Sequence, residues 1–227
     1  MNESVEIVAL VEGKTEQIFI QDLVSPYLSP KGIYIIPIQI SKPGQKGGDV
    51  KFSRVQNDIG IHLKQRSDTY LTLFVDYYGI NVDWPGLNKA KIEATPAGKA
   101  AQVNSATKDK VNSLFGYFDS ERRFIPYVAM YEFEALLFSG PEHLAEQLQV
   151  PRRSIDKILE QCGEPERIND SQQTAPSKRL ESLTSRFKKT STGLAVAKAI
   201  GLPRIRERCL IFNEWLSEIE RLKAGRL

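Results

Sequence analysis

The sequence predicts an α/β protein: a mostly parallel four-stranded sheet flanked by helices, followed by a C-terminal helical extension. Three observations carry this. Four short runs rich in Val, Ile, Leu and aromatic residues stand at 5–11, 33–38, 70–75 and 124–129, the length and composition of buried strands. Helical spacings of apolar residues lie between them, and strands alternating with helices imply parallel pairing through right-handed crossovers. From about residue 133 onward only helical patterns follow. The expected division is an α/β unit over 1–139 and a basic helical extension over 140–227.

Taken in order, Val5-Glu6-Ile7-Val8-Ala9-Leu10-Val11 ends on Glu12, and Gly13 breaks the run before a helix predicted over 15–24. The second and fourth strands contain Pro37 and Pro126, which cannot donate to a ladder and so suit edge positions. A second helix over 52–66 places Val55, Ile59 and Leu63 on one face. A third covers about 99–117, after a loop marked by Trp84-Pro85-Gly86 and Pro96. Helices are then expected at 141–148, 152–162, 177–187, 192–200 and 205–223, with Ser154 and Ser177 as early caps. Three connections stand out. Residues 41–51 combine three glycines with Lys42, Lys46 and Lys51, suited to approach a phosphate or to form a surface turn. Residues 79–98 make a long connection of the kind that borders sites. Residues 163–176 are polar and rich in turn formers.

The chain has 227 residues, 41% hydrophobic and 26% charged, the composition of an ordinary soluble globular protein. No run approaches the ~18 apolar residues of a membrane span, and no signal-peptide pattern opens the chain, so a cytoplasmic protein without membrane association is expected. Cys162, Cys209, His62 and His143 make no Cys-x-x-Cys pair and no metal-ligand spacing, which argues against a zinc centre and for reduced thiols. The net charge of +3 hides an asymmetry: residues 1–150 carry 15 Lys+Arg against 18 Asp+Glu, and residues 151–227 carry 16 against 10. An acidic half joined to a basic half suits metal held by one part and a polyanion by the other. A solvated basic helical face is the competing reading.

Gly13-Lys14-Thr15 has the ending of a phosphate-binding P-loop, but that motif needs a glycine five residues before the Gly-Lys pair. Val8 stands there and Glu12 would repel phosphate, so the P-loop reading fails. Glu12 instead sits at the C-terminal lip of a strand, where open α/β sheets place their ligands. Glu16 follows in the first helical turn, and Asp76 ends the third strand at the same kind of lip. Glu132 and Glu134 follow the fourth. Oxygen donors gathered on one sheet edge point to Mg²⁺, which takes few carboxylates and keeps waters for a substrate phosphate; Mn²⁺ would substitute. Glu132 and Glu134 diverge if a helix begins at Ala135, so both are not expected on one ion, and Glu132, nearer the lip, is preferred. Each acid also has a plain reading, as a turn residue or, for Glu16, as a complement to the helix dipole. Glu93 has no assigned place, and Asp83 reads as a turn former or an outer ligand.

Glu12-Gly13-x-Thr15-Glu16 after a strand, with Asp76 at the end of a later one, resembles the TOPRIM domain of topoisomerases, primases and overcoming-lysogenisation-defect nucleases. The strings Val75-Asp76-Tyr77-Tyr78-Gly79, 131–138, 176–180 and 212–216 resemble an uncharacterised bacterial TOPRIM-like family encoded beside AAA or ABC-type ATPases in phage-defence loci. The resemblance spans nearly the whole chain. It implies a TOPRIM-like sheet, metal ligands at Glu12, Glu16, Asp76 and Glu132 or Glu134, and catalytic roles for Glu12, Asp76 and Lys178, the last on the reacting phosphate. Where the common pattern has Asp-x-Asp, this chain has Asp76-Tyr77-Tyr78, which removes one carboxylate and leaves one-metal chemistry open.

The expectation is an Mg²⁺-dependent nuclease, a phage-defence effector working with a partner ATPase. Lys46, Lys51, Lys178, Arg179, Lys188 and Lys189 are the expected nucleic-acid contacts. The alternative is a non-catalytic scaffold subunit that binds an ATPase or nucleic acid.

Overall fold

Strands β1 (Val5–Val11), β2 (Ile33–Gln39), β3 (Tyr70–Asp76) and β4 (Phe124–Ala129) form one sheet in the order β2-β1-β3-β4, with every pair parallel. The computed structural model describes residues 4–41, 49–168 and 171–224. Helix α1 (Lys14–Phe19) runs on through a wide π turn, Ile20–Val24, into Ser25–Leu28, and leads to β2. Helix α2 (Phe52–Gln65) crosses from β2 to β3, and α3 (Pro96–Phe115) from β3 to β4. Thr95 starts α3 by accepting the Gly98 N–H at 3.0 Å, and Pro96 takes the first position, where a missing N–H costs nothing.

Both prolines lie on edge strands, as expected. The Ile40 N–H donates to Val11 and the Gly32 carbonyl accepts from Val5, so even-numbered residues of β2 face β1 and Pro37 faces outward. Likewise Ala129 accepts from Tyr77, so odd-numbered residues of β4 face β3 and Pro126 faces outward. Each free edge therefore lacks one donor for pairing with another chain.

Beyond β4 come a 3₁₀ stretch (Phe133–Ser139), α4 (Pro141–Leu148), α5 (Arg152–Cys162), α6 (Pro176–Leu183), a π turn (Lys189–Gly193), α7 (Leu194–Ile200), α8 (Leu202–Arg208) and α9 (Leu210–Ala224). The single helix expected over 205–223 is two. The break comes at Cys209, because the Ile211 and Phe212 N–H groups go to the Glu166 carboxylate at 2.8 and 2.9 Å and open a new helix there. Ser154 and Ser177 are not caps: Pro151 and Ala175 hold those positions. The helix at 177 also ends earlier than expected, at Leu183.

Helix α9 lies on the sheet rather than beside it. Trp215 stacks on Tyr127 at 5.0 Å and donates its indole N–H to Thr72 at 2.8 Å. Phe212 and Phe19 meet edge to face at 5.9 Å, and Phe19 meets Phe74 at 6.4 Å. Pairs of this kind contribute roughly 0.5–1.5 kcal/mol each beyond area burial, so the C-terminal helices complete the core beneath β3 and β4. Right-handed crossovers put α2 and α3 on the other face, where Gly60 lets the two approach: a Cβ there would stand 2.8 Å from the Phe115 ring. Among the described residues, no helix is long and apolar enough to cross a membrane.

Candidate functional site

β1 and β3 are paired neighbours, so parallel geometry alone brings Glu12 and Asp76 to the same lip. The Asp76 N–H donates to Glu12 Oε2 at 3.3 Å. The Asp76 carboxylate accepts the Phe133 N–H at 2.9 Å, which ties the start of the 3₁₀ stretch to the end of β3. Gly79, in the turn after β3, is the floor against which Glu12 lies: a Cβ there would stand 2.7 Å from the Glu12 Cδ and Oε1. Glu16 folds back over the strand-to-helix turn, since a Cβ on Gly13 would lie 3.2 Å from its Oε2. Glu16 and Asp76 are both buried.

Glu132 and Glu134 come from the segment pinned by Asp76. The Glu132 carboxylate accepts the Ser177 N–H at 2.9 Å, and Glu134 is only 1% exposed. Both address one cation, Lys189, whose Nζ lies 3.9 Å from Glu132 Oε1 and 3.1 Å from Glu134 Oε1. The expectation that these acids would part is therefore corrected. A 3₁₀ stretch, tighter than an α-helix, begins at Phe133 and carries both carboxylates to the same ammonium. The Lys189 segment itself rests on α1, with Thr190 Oγ1 3.4 Å from Thr15 Oγ1.

The electrostatics follow from crowding in a buried place. Burial pushes the Asp76 carboxyl well above the usual carboxylate range, Glu12, Glu16 and Glu134 add to the rise, and Lys189 opposes it. Glu134 is pushed up to about 7, chiefly by burial, with Lys189 opposing and Glu132 adding. Burial works against the Lys189 ammonium, but Glu134, Glu132 and Asp76 outweigh it and hold the proton more tightly than usual. Five carboxylates thus share one neighbourhood, and Lys189 is set against two of them, Glu132 and Glu134. The donors are hard oxygens. Among the described residues no group of three His, Cys, Asp or Glu side chains is arranged, as it stands, to hold a metal ion. The acids share a field and a lip; they do not form a closed cage.

Other expected residues lie elsewhere. Lys178 is exposed and pairs with Glu181 at 2.7 Å; among the described residues it is Lys189 that reaches Glu132 and Glu134. Arg179 bonds back to the Thr174 carbonyl at 3.1 Å, and Lys188 is exposed. Lys51 is exposed at the start of α2, next to the bridge between Val50 and Ile80 that lays this segment beside the lip. Lys46 lies outside the described residues. Asp83 accepts the Phe52 N–H at 3.4 Å and serves the start of α2, and Glu93 stands over the first turn of α3 beside Gly98. In the sequence Lys189 stands only as one of several expected nucleic-acid contacts. Its distinguishing signal, a lysine before Thr190-Ser191-Thr192-Gly193, carries no spacing rule that would link it to Glu134 55 positions earlier.

A family model described as a domain of unknown function, DUF4276, matches residues 11–220. Comparison with curated proteins and with solved structures gave no match.

Proposed function

The chain belongs to the DUF4276 family, and for it we propose a nuclease that hydrolyses nucleic-acid phosphodiesters with the help of Mg²⁺, Mn²⁺ being a substitute. The observation that carries the reading is the buried acid cluster at the strand lip, with Asp76 held against Glu12, Glu16 and Glu134, whose charges raise its proton affinity. Mg²⁺ is commonly held by one or two carboxylates, with water and substrate phosphate filling the rest, so Asp76 and Glu12 suffice as protein ligands and Glu16 stands near enough to support them. When bound, such an ion supplies positive charge where phosphate charge must be neutralised. The chain's own groups do the rest. Glu134, near neutrality in its proton affinity, is suited to hold or release a proton at working pH. Lys189 keeps its charge and faces the same lip, taking the role expected of Lys178. Lys51 and Lys188 are exposed and Arg179 is partly exposed; all three are offered as contacts to the flanking strand.

A phage-defence effector role beside an AAA or ABC-type ATPase, and kinship with the TOPRIM domain, rest on the sequence strings alone. Co-purification with an ATPase encoded nearby tests the first. A second reading, a non-catalytic scaffold, is favoured by one observation: Lys189 answers both Glu132 and Glu134 from within the chain.

The deciding experiment is a cleavage panel of tRNA, single-stranded DNA and duplex DNA in Mg²⁺ or Mn²⁺, with a parallel thermal-shift titration. Wild type should cleave at least one substrate only with metal and gain stability from the metal. Glu12→Gln and Asp76→Asn should each lower cleavage by about 10²-fold or more, the scale of losing a charge-stabilising group, while remaining folded. Cleavage unchanged in both variants sinks the nuclease; no metal-induced stabilisation of wild type selects the scaffold.

A further inference from the structure

The sheet ends at β4, and α3 and α9 both pack against that last strand. Between the two helices lies a cleft of about 220 Å³, to which β4 contributes Pro126 and Tyr127. On α3 the residues that line it, Ala97, Ala100, Ala101 and Asn104, recur at helical spacing on one face. The three alanines keep that wall low. The α9 wall carries Glu214, Trp215 and Glu218 at the same kind of spacing. Lys108 of α3 links the walls, with its Nζ 3.9 Å from Glu218 Oε1.

Two polar atoms of residues that line the cleft are left over from the packing. Asn104 Oδ1 and the Tyr127 hydroxyl are both buried, and among the described residues neither has a hydrogen-bond partner. Trp215, stacked on Tyr127, commits its indole N–H to Thr72 and does not serve them. A buried oxygen without a donor costs stability, and both of these oxygens can accept. The charged groups of the cleft lean the same way. Two are carboxylates, and the one ammonium, Lys108, is set against Glu218. Glu214 is exposed, and among the described residues no side-chain hydrogen bond or ion pair holds it. Acceptors inside and a carboxylate at the rim ask for one kind of group, an N–H donor with positive charge. The volume sets the size. It far exceeds the ~30 Å³ share of one water and falls below the ~300 Å³ at which drug-sized pockets begin.

We propose that the cleft between α3, β4 and α9 binds a small organic cation, an alkylguanidinium or alkylammonium. Its N–H groups donate to Asn104 Oδ1, Glu214 meets its charge, and its short stem lies against Pro126 and the alanines of α3. The cleft shares no residue with the acidic lip, so the proposal stands apart from the nuclease reading.

The test is ¹H–¹⁵N NMR on the full chain, read at the Ala100 and Ala101 amides and at the two indole N–H groups. Trp215 lines the cleft, whereas Trp84 does not and bonds to Thr107 at 2.9 Å; Trp84→Phe assigns the two indole signals. The probes are n-butylguanidinium and n-butylammonium, with n-butanol and butyrate as neutral and anionic controls. At least one cation should move the Ala100, Ala101 and Trp215 signals saturably while Trp84 stays in place, and the controls should move none. The tighter of the two cations tells guanidinium from ammonium. Asn104→Leu should weaken binding about tenfold or more, the scale of a hydrogen bond to a charged group. It should not lower the melting temperature, because the acceptor it removes is unmet. Asn104→Asp keeps an acceptor and should bind at least as tightly as wild type. Glu214→Gln should weaken binding roughly two- to fivefold, as for an exposed ion pair. An equal response to n-butanol, unchanged affinity in Asn104→Leu, or no saturable shift with either cation would each overturn the proposal.

Discussion

Glu134 and Glu166 are both deeply buried, and both carboxyls are pushed up to about 7, chiefly by burial. Their surroundings differ in kind. Glu166 is met by two backbone donors, the N–H groups of Ile211 and Phe212, which would otherwise be orphans at the start of α9. Its two oxygens are spoken for, and it joins the 165–167 turn to a helix that packs under the sheet. Glu134 is met by a lysine whose side chain is 44% exposed, and it stands among carboxylates that raise one another's proton affinity. A shared pKa therefore does not mean a shared role. A perturbed acid whose partners are fixed backbone groups is a structural joint; one whose neighbours are like charges and a single flexible cation is open to a ligand.

The comparison breaks most visibly through stability. Glu166→Ala removes an acceptor from two buried donors, and each donor left unmet costs roughly 1–3 kcal/mol. Urea unfolding should show a loss of about 2–4 kcal/mol, with the stabilisation by Mg²⁺ unchanged. Glu166→Gln keeps one acceptor oxygen and should recover part of the loss. Glu134→Gln should do the reverse, changing apo stability less than Glu166→Ala does, since the amide matches the carboxyl in shape, burial already favours the uncharged form and the part-exposed Lys189 can turn to solvent, while reducing the metal response. Should Glu166→Ala abolish the metal response in a protein that remains folded, the two glutamates belong to one site and the distinction fails.

A smaller effect sharpens the same contrast from the lip side. Gly79 is the surface that Glu12 lies on, and a Cβ there would collide with its carboxylate. Gly79 is buried, but the group it would strike is the end of a flexible side chain. Gly79→Ala should therefore displace Glu12 more than it disturbs the fold. The expected result is a roughly tenfold loss of metal-dependent cleavage, about 1.4 kcal/mol of activation free energy, with the melting temperature within a few degrees of wild type. Full activity in this variant would mean that Glu12 is not needed where it lies.

The sheet was legible because its signals are local. Each strand is a short apolar run, each crossover helix has a regular apolar stripe, and the two prolines announced the edges. Glu12 and Asp76 were legible as a pair for the same reason: a parallel sheet sends every strand end to one lip, so position in the strand stands in for position in space. What could not be read depends on contacts between distant parts of the chain. Glu166 creates the break at Cys209 from more than 40 residues away, and helical periodicity passes through that point undisturbed. Lys189 reaches Glu134 across a similar separation, while Lys178, beside the Ser177 N–H that meets Glu132, points away. Neighbours in sequence thus part, and strangers meet, wherever a loop rather than a strand sets the direction.

The pH dependence of stability separates the two glutamates most gently. An ordinary glutamate has a pKa near 4.5, and in the folded protein both stand at about 7. Between those values the folded state holds more protons than the unfolded one, so stability falls as pH rises through the interval and levels off above it. Asp76, also raised, acts in the same direction. The metal-free protein should accordingly be more stable at pH 5 than at pH 8, by roughly 5 kcal/mol or about 10 °C or more in melting temperature for a chain of this length, since each glutamate shift contributes about 2–3 kcal/mol over that interval. Glu166→Gln and Glu134→Gln should each flatten part of that slope. The difference comes with metal: saturating Mg²⁺ should cancel the share owed to Glu134 and Asp76, because a bound cation favours their ionised forms, and leave the share owed to Glu166. A slope that vanishes entirely with Mg²⁺ in wild type, or that Mg²⁺ does not touch, would show that the lip and the joint cannot be told apart by charge.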